Sequence, residues 1–116
     1  MSQAVIAFCT CPDAATASRI ADALIGGRLA ACVSVLPGVR SVYRWQGAVE
    51  HADEVQLLVK NTSERMPALV ERIVALHPHE LPEVIAVEAA AGLPAYLEWI
   101  ADEVAPDAGG QEPEST

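Results

Sequence analysis

Basic residues are scarce in this chain of 116. Seven lysines and arginines stand against sixteen aspartates and glutamates, for a formal net charge of -9. That balance argues against nucleic acid as a partner, because phosphate backbones are gripped by Lys and Arg. Long apolar runs are missing too. None approaches the ~20 residues of a membrane span, so no membrane partner is expected. The opening Met1-Ser2-Gln3-Ala4 lacks the basic stretch of a secretory signal, and a cytoplasmic location is expected. Cysteine is limited to Cys9, Cys11 and Cys32, an odd set that does not close into disulfides and should remain as thiols in a reducing compartment. Enzyme signatures are absent. Gly26-Gly27 follows a helical stretch instead of preceding one, the wrong context for a phosphate loop, and there is no Gly-x-Ser-x-Gly elbow. The protein is expected not to be an enzyme.

What is present is a chain with 52% hydrophobic residues, enough for one domain with a single core. Acidic residues and Pro/Gly gather at the end, where Asp107, Glu112 and Glu114 lie among Pro106, Gly109, Gly110 and Pro113. Such a composition buries too little apolar surface to offset chain entropy. The expected organisation is one domain over residues 1–104 and a disordered acidic tail over 105–116.

The most informative stretch runs from Ala30 to Gly47. Ala30–Leu36 is apolar and β-prone, Pro37-Gly38 bends it, and Val39–Trp45 resumes with alternating polarity. Gln46-Gly47 makes a tight turn, and Ala48–Lys60 returns as the partner strand. Strands usually run ~5–6 residues, so this hairpin should overhang its own domain. Tyr43 and Trp45 on the overhang need a cover, most simply further copies of the chain. Before the hairpin, Gln3–Cys11 reads as a buried central strand, and a helix runs from Pro12-Asp13 to Gly26-Gly27. After it, Asn61-Thr62-Ser63 offers cap residues for a helix whose stripe is Met66, Leu69, Val70, Ile73 and Val74, stopped by His77-Pro78. Pro82–Ala90 is the last core strand, with Val84, Ile85 and Val87, and Pro94–Val104 is a final helix.

The order β-α-β-β-α-β plus a helix predicts an α+β, ferredoxin-like antiparallel sheet with a long hairpin and an extra C-terminal helix. Right-handed crossovers leave the first and third strands central, with the fourth antiparallel to the first. The end of strand one then abuts the start of strand four, which brings Cys9 and Cys11 toward His77-Pro78-His79-Glu80. Cys9 and Cys11 are two apart on a strand and share a face. Thiolate and imidazole suit copper and zinc, so Cys9, Cys11, His77 and His79 are the candidate metal ligands. A Cys9–His77 nucleophile pair is the catalytic alternative, with Glu80 as a third member. Arg40, Tyr43, Arg44, Trp45 and Lys60 are candidates for a subunit interface or cleft, since Arg and aromatic residues suit interfaces and anions.

Cys9-Thr10-Cys11-Pro12-Asp13, Leu29-Ala30-Ala31-Cys32-Val33, the run Leu36–Gly47, Glu54-Val55, His77-Pro78-His79-Glu80-Leu81-Pro82-Glu83-Val84-Ile85 and Pro94–Ile100 together resemble the CutA family of divalent-cation tolerance proteins, in order and at family spacing from about Ala4 to Ile100. The resemblance implies a ferredoxin-like fold, a homotrimer built like the trimeric nitrogen-regulatory signalling proteins, and a part in tolerance to copper and other divalent metals. It also implies copper binding through a cysteine that falls on Cys9 and a histidine pair that falls on Leu76 and His77. Leu76 cannot ligate, so Cys11 or His79 must complete the set. The expected cofactor is a copper ion and the expected partners are further copies of the chain. The alternative expectation is a trimeric signalling or scaffold module that binds a small ligand or partner protein at subunit clefts.

Overall fold

Alternation along the first strand sets the architecture. In the computed structural model, which describes residues 2–106, β1 spans Ala4–Cys11 and buries Val5, Ala7, Cys9 and Cys11 on one face. Ile6, Phe8 and Thr10 alternate onto the other face and are half-buried. Pro12 comes directly after β1. Asp13 then caps α1 (Ala14–Gly26), its carboxylate accepting the Thr16 amide at 2.8 Å. Hydrogen bonding from Thr16 holds the Asp13 carboxyl below its ordinary range.

The long hairpin is β2 (Cys32–Trp45) and β3 (Ala48–Thr62). Its pairing shifts register between Leu36 and Val39, where Gly38 takes a φ of +81° that a side chain would resist. Gln46 and Gly47 both have positive φ, +50° and +84°, as a two-residue turn matched to strand twist demands. A 3-10 turn (Ser63–Arg65) leads into α2 (Met66–Leu76), with Pro67 in its first turn. β4 (Ile85–Glu88) and α3 (Pro94–Val104) complete the described chain.

The sheet order is β2-β3-β1-β4, and every adjacent pair is antiparallel. This is the α+β topology the sequence predicts, with β1 and β3 central. The core lies between the sheet and the first two helices: Cys9, Cys11, Leu57 and Val59 meet Ile20 and Leu24 of α1 and Leu69 and Ile73 of α2. α3 packs on β3 and β1 and buries Ile100 and Val104. Arg28 reaches it with bonds to the carbonyls of Asp102 (3.1 Å) and Ala105 (3.4 Å), where a cation suits a helix C-terminus.

Several expectations need correcting. The segment Ala30-Ala31 precedes β2 instead of opening it, although the Ala31 amide bonds the Lys60 carbonyl at 2.9 Å. Asn61 is buried within β3 and caps no helix, and Thr62 makes no side-chain cap bond. β4 is half the predicted length and is not core. Ile85 and Val87 are 61% and 51% exposed, whereas Val84, just before the strand, packs on the core. The reason is position: β4 is an edge strand with one neighbour, and among the described residues no helix covers the face that Ile85 and Val87 share.

The uncovered face is apolar. Leu58, Phe8 and Ile85 lie abreast across β3, β1 and β4, with Ile6 beside Val87 in the next row. The hairpin overhangs as predicted, with Val42 60% exposed and Tyr43 45% exposed. Of the expected acidic tail, Ala105 and Pro106 come after α3, and residues 107–116 lie outside the described residues.

Ile20 is fully buried between α1 and the sheet, so Ile20→Ala should cost about 2–5 kcal/mol by leaving a cavity. Urea unfolding monitored by circular dichroism checks this, and a loss well under 1 kcal/mol would place Ile20 outside the core.

Candidate metal centre

Cys9 and Cys11 leave the end of β1 on its helix-facing side, both fully buried. His77 sits at the end of α2, where its amide bonds the Ile73 carbonyl at 2.8 Å and its backbone turns extended ahead of Pro78. Helix end and strand end therefore meet. One ligand atom from each of Cys9, Cys11 and His77 lies within 4.8 Å of the other two, and all three residues are buried.

The His77 ring is held at both nitrogens. Nε2 lies 2.7 Å from the Thr10 carbonyl oxygen, and Nδ1 lies 3.1 Å from the His79 amide nitrogen. A carbonyl only accepts and an amide N–H only donates. The proton is therefore on Nε2, and the lone pair of Nδ1 accepts from His79. The Cys9 sulfur lies 3.8 Å from the same Thr10 oxygen. This carbonyl, between the two cysteines in sequence, ties imidazole and thiol together.

The two thiols are unequal. The hydrogen bond between them, with burial second, pushes Cys9 far above the ordinary thiol range, and the charges of Glu83 and Glu54 act in the same direction. The same bond pulls Cys11 below its ordinary value against the effect of burial. The Cys9 thiol is the harder of the two to ionise, and its Sγ–H is directed at the Thr10 carbonyl oxygen. Two sulfurs and an imidazole nitrogen form a donor set suited to thiophilic cations such as copper and zinc, which take thiolates and exchange against their protons. The residues fit a metal ion on the chemistry of these donors.

The remaining candidates separate. The His79 ring rests against that of His77, with centroids 4.8 Å apart, and is not in the group of converging ligand atoms; its backbone is what bonds His77. Leu76 packs on the core. Tyr43 and Trp45 line a cleft of about 700 Å³ between the hairpin and the loop after His77. Thr10 of β1, Glu54 of β3, and His79, Glu80 and Leu81 of the loop also line it. Arg40, Arg44 and Lys60 do not line it. Arg40 and Arg44 alternate with Tyr43 and Trp45 along β2, and Lys60 is paired with Cys32 and Ile6 far from the hairpin turn. Sequence reasoning missed the Thr10 carbonyl and the acidic lining from Glu54 and Glu83. The register of β3 against Val39 carries a signal for Glu54, but a backbone acceptor leaves no mark in side-chain identity.

The chain has close relatives among known proteins. A family model described as CutA1 divalent ion tolerance protein matches residues 5–103. The chain is 46% identical over 95 residues to the divalent-cation tolerance protein CutA of Thermus thermophilus, covering 82% of this chain and 92% of that one. It is 41% identical over 100 residues to the protein of the same description from Pectobacterium atrosepticum, covering 86% and 91%. Among solved structures, CutA from Xylella fastidiosa superposes with a TM-score of 0.85 at 48% identity, covering 88% of this chain and 98% of that one. CutA1 from Oryza sativa gives 0.87 at 34% identity, covering 90% and 96%.

Burial and protonation make a prediction about thiol reactivity. Cys32 is half-buried, whereas Cys9 and Cys11 are closed off. Alkylation of the native protein near neutral pH, read by mass spectrometry of peptides, should label Cys32 first and leave the pair until unfolding. Rapid labelling of Cys9 would contradict the burial of the pair.

Proposed function

The chain belongs to the CutA1 divalent ion tolerance family, and from that premise we propose that it acts in metal tolerance as a non-enzymatic homotrimer that binds a copper ion at Cys9, Cys11 and His77. The observation that carries the reading is the convergence of three buried ligand atoms within 4.8 Å. Cys11 takes the place that Leu76 cannot fill, so the set on this chain is two thiolates and one imidazole. A bound cation supplies, inside the fold, the positive charge that the thiol proton otherwise provides. The same enclosure speaks against catalysis. Both thiols are buried and both His77 nitrogens are bonded, which leaves this group without an accessible nucleophile or a free base. Thiols that must stay reduced suit the cytoplasm.

The trimer rests on the uncovered apolar face. Leu58, Phe8 and Ile85 across the sheet, together with the overhanging hairpin, form an apolar surface continuous with exposed strand edges. Surfaces of that kind are covered in stable proteins, and copies of one chain in a closed ring cover them without leaving an edge. A second reading, a signalling module that takes a small ligand, is favoured by one feature: the cleft beside Tyr43 and Trp45.

Anaerobic titration with Cu(I) tests the ion site. One ion per chain is expected, and Cys9→Ala, Cys11→Ala and His77→Ala should each weaken binding at least about tenfold. Equal affinity in the double variant Cys9→Ala/Cys11→Ala would refute the assignment. Sedimentation equilibrium tests the assembly. Three chain masses are expected at micromolar concentration, falling to one in Ile85→Asp/Val87→Asp, and a monomeric parent would refute the trimer. Stabilisation by metabolites with none from metal ions, in a thermal-shift screen, would favour the second reading.

A further inference from the structure

His77 belongs to two constructions at once. Its ring borders the sulfur pair, and its Nδ1 holds the amide of His79 at 3.1 Å. His79, Glu80 and Leu81 in turn line the cleft that Tyr43 and Trp45 line from the hairpin. We propose that occupancy of the sulfur–imidazole pocket is transmitted to this cleft by release of the His77–His79 hydrogen bond, so that ion binding repositions the cleft wall. The proposal rests on the ion-site reading above and deepens it.

A neutral imidazole has a single in-plane lone pair, and here it is on Nδ1 and already used. Ligation through Nδ1 displaces the His79 amide directly. Ligation through Nε2 requires that nitrogen to give up its proton and its bond to the Thr10 carbonyl. In a neutral ring the proton then resides on Nδ1, where it points at the His79 N–H, donor against donor. Both routes therefore end with the His77–His79 bond broken. The coupling does not depend on which nitrogen ligates.

The response of the wall to this break is set by how the segment is held. Pro78 and Pro82 bracket it, each with its own φ fixed and the residue before it biased to extended backbone. Among the described residues, the segment from His79 to Val84 makes no backbone–backbone hydrogen bond outside regular elements. Its side-chain ties are the His79 bond, the contact of the His79 ring with that of His77, a 3.4 Å bond from Gln56 Nε2 to Glu83 Oε2, and Val84 packed on the core at the far end. His79, Glu80 and Leu81 are exposed, so little packing resists a shift. With Val84 anchored, loss of the His79 bond lets the exposed residues nearest His77 shift, and Tyr43 and Trp45, which line the same cleft, register the change. The linkage is reciprocal: whatever occupies the cleft and holds the His79 wall in place weakens the ion site by the same factor.

The test uses the full-length chain labelled with 15N, loaded anaerobically with Cu(I) supplied as its acetonitrile complex. Cu(I) is diamagnetic, so amide signals survive. Bound metal is counted after dialysis, and hydrogen exchange and chemical shifts are read in parallel. We expect one Cu(I) per chain, His79 amide exchange faster by about tenfold, and shifts at Glu80, Leu81, Tyr43 and the Trp45 indole. One bound Cu(I) with His79 exchange and the cleft signals unchanged overturns the coupling and leaves the ion site standing. No bound Cu(I) overturns the ion-site reading and the coupling with it.

Discussion

The bond from His77 Nε2 to the Thr10 carbonyl, 2.7 Å long and spanning 67 residues of sequence, is the contact on which the rest of the site depends. It pins the end of α2 to the end of β1. It fixes the tautomer of the ring, and so directs the only imidazole lone pair at the His79 amide. The Thr10 carbonyl is open to such a partner because β4 begins at Ile85, opposite Phe8, and leaves Thr10 without a neighbour on that side of β1. The cysteines on either side of Thr10 face the opposite side of the sheet from its side chain. One peptide group thus sits beside thiol, imidazole and cleft at once.

A second constraint is the imbalance between the two sheet faces. Helices α1 and α2 cover the middle of one face, with Ile20, Leu24, Leu69 and Ile73 all at zero exposure. The other carries Ile6, Phe8 and Leu58 half-buried, and Ile85 and Val87 open. α3 closes only the end of that face near Ala4 and Thr62. Among the described residues the sheet is therefore covered on one face and largely bare on the other. The ion pocket lies under the finished face and the cleft on the unfinished one, with His77 and the segment after it passing between them.

Most of this fold is legible in the sequence. Val5, Ala7, Cys9 and Cys11 alternate with Ile6, Phe8 and Thr10, which identifies a central strand. Asp13 and Gly27 mark the ends of α1, and Gln46-Gly47 marks the hairpin turn. Strand order comes from crossover handedness, and so the approach of Cys9 and Cys11 to His77 is foreseeable. The extent of β4 is not, because Ile85 and Val87 look like core residues in any local pattern; the edge position follows from the strand order, but the lack of a helix over the face they point to does not. The part played by His79 is illegible for another reason. Its ring attracts notice as a ligand, while its contribution comes from a backbone amide that every residue except proline possesses. Arg40 and Arg44 read as partners of Tyr43 and Trp45, yet strand alternation sends them to the other face.

The tautomer of His77 is the most direct test of these relations, since it requires no added ion and no assumption about assembly. Long-range 1H–15N correlation spectra of the imidazole ring at neutral pH report which nitrogen bears the proton. A proton on Nε2 with Nδ1 bare is the predicted result. A ring protonated on Nδ1 would contradict the Thr10 and His79 contacts together.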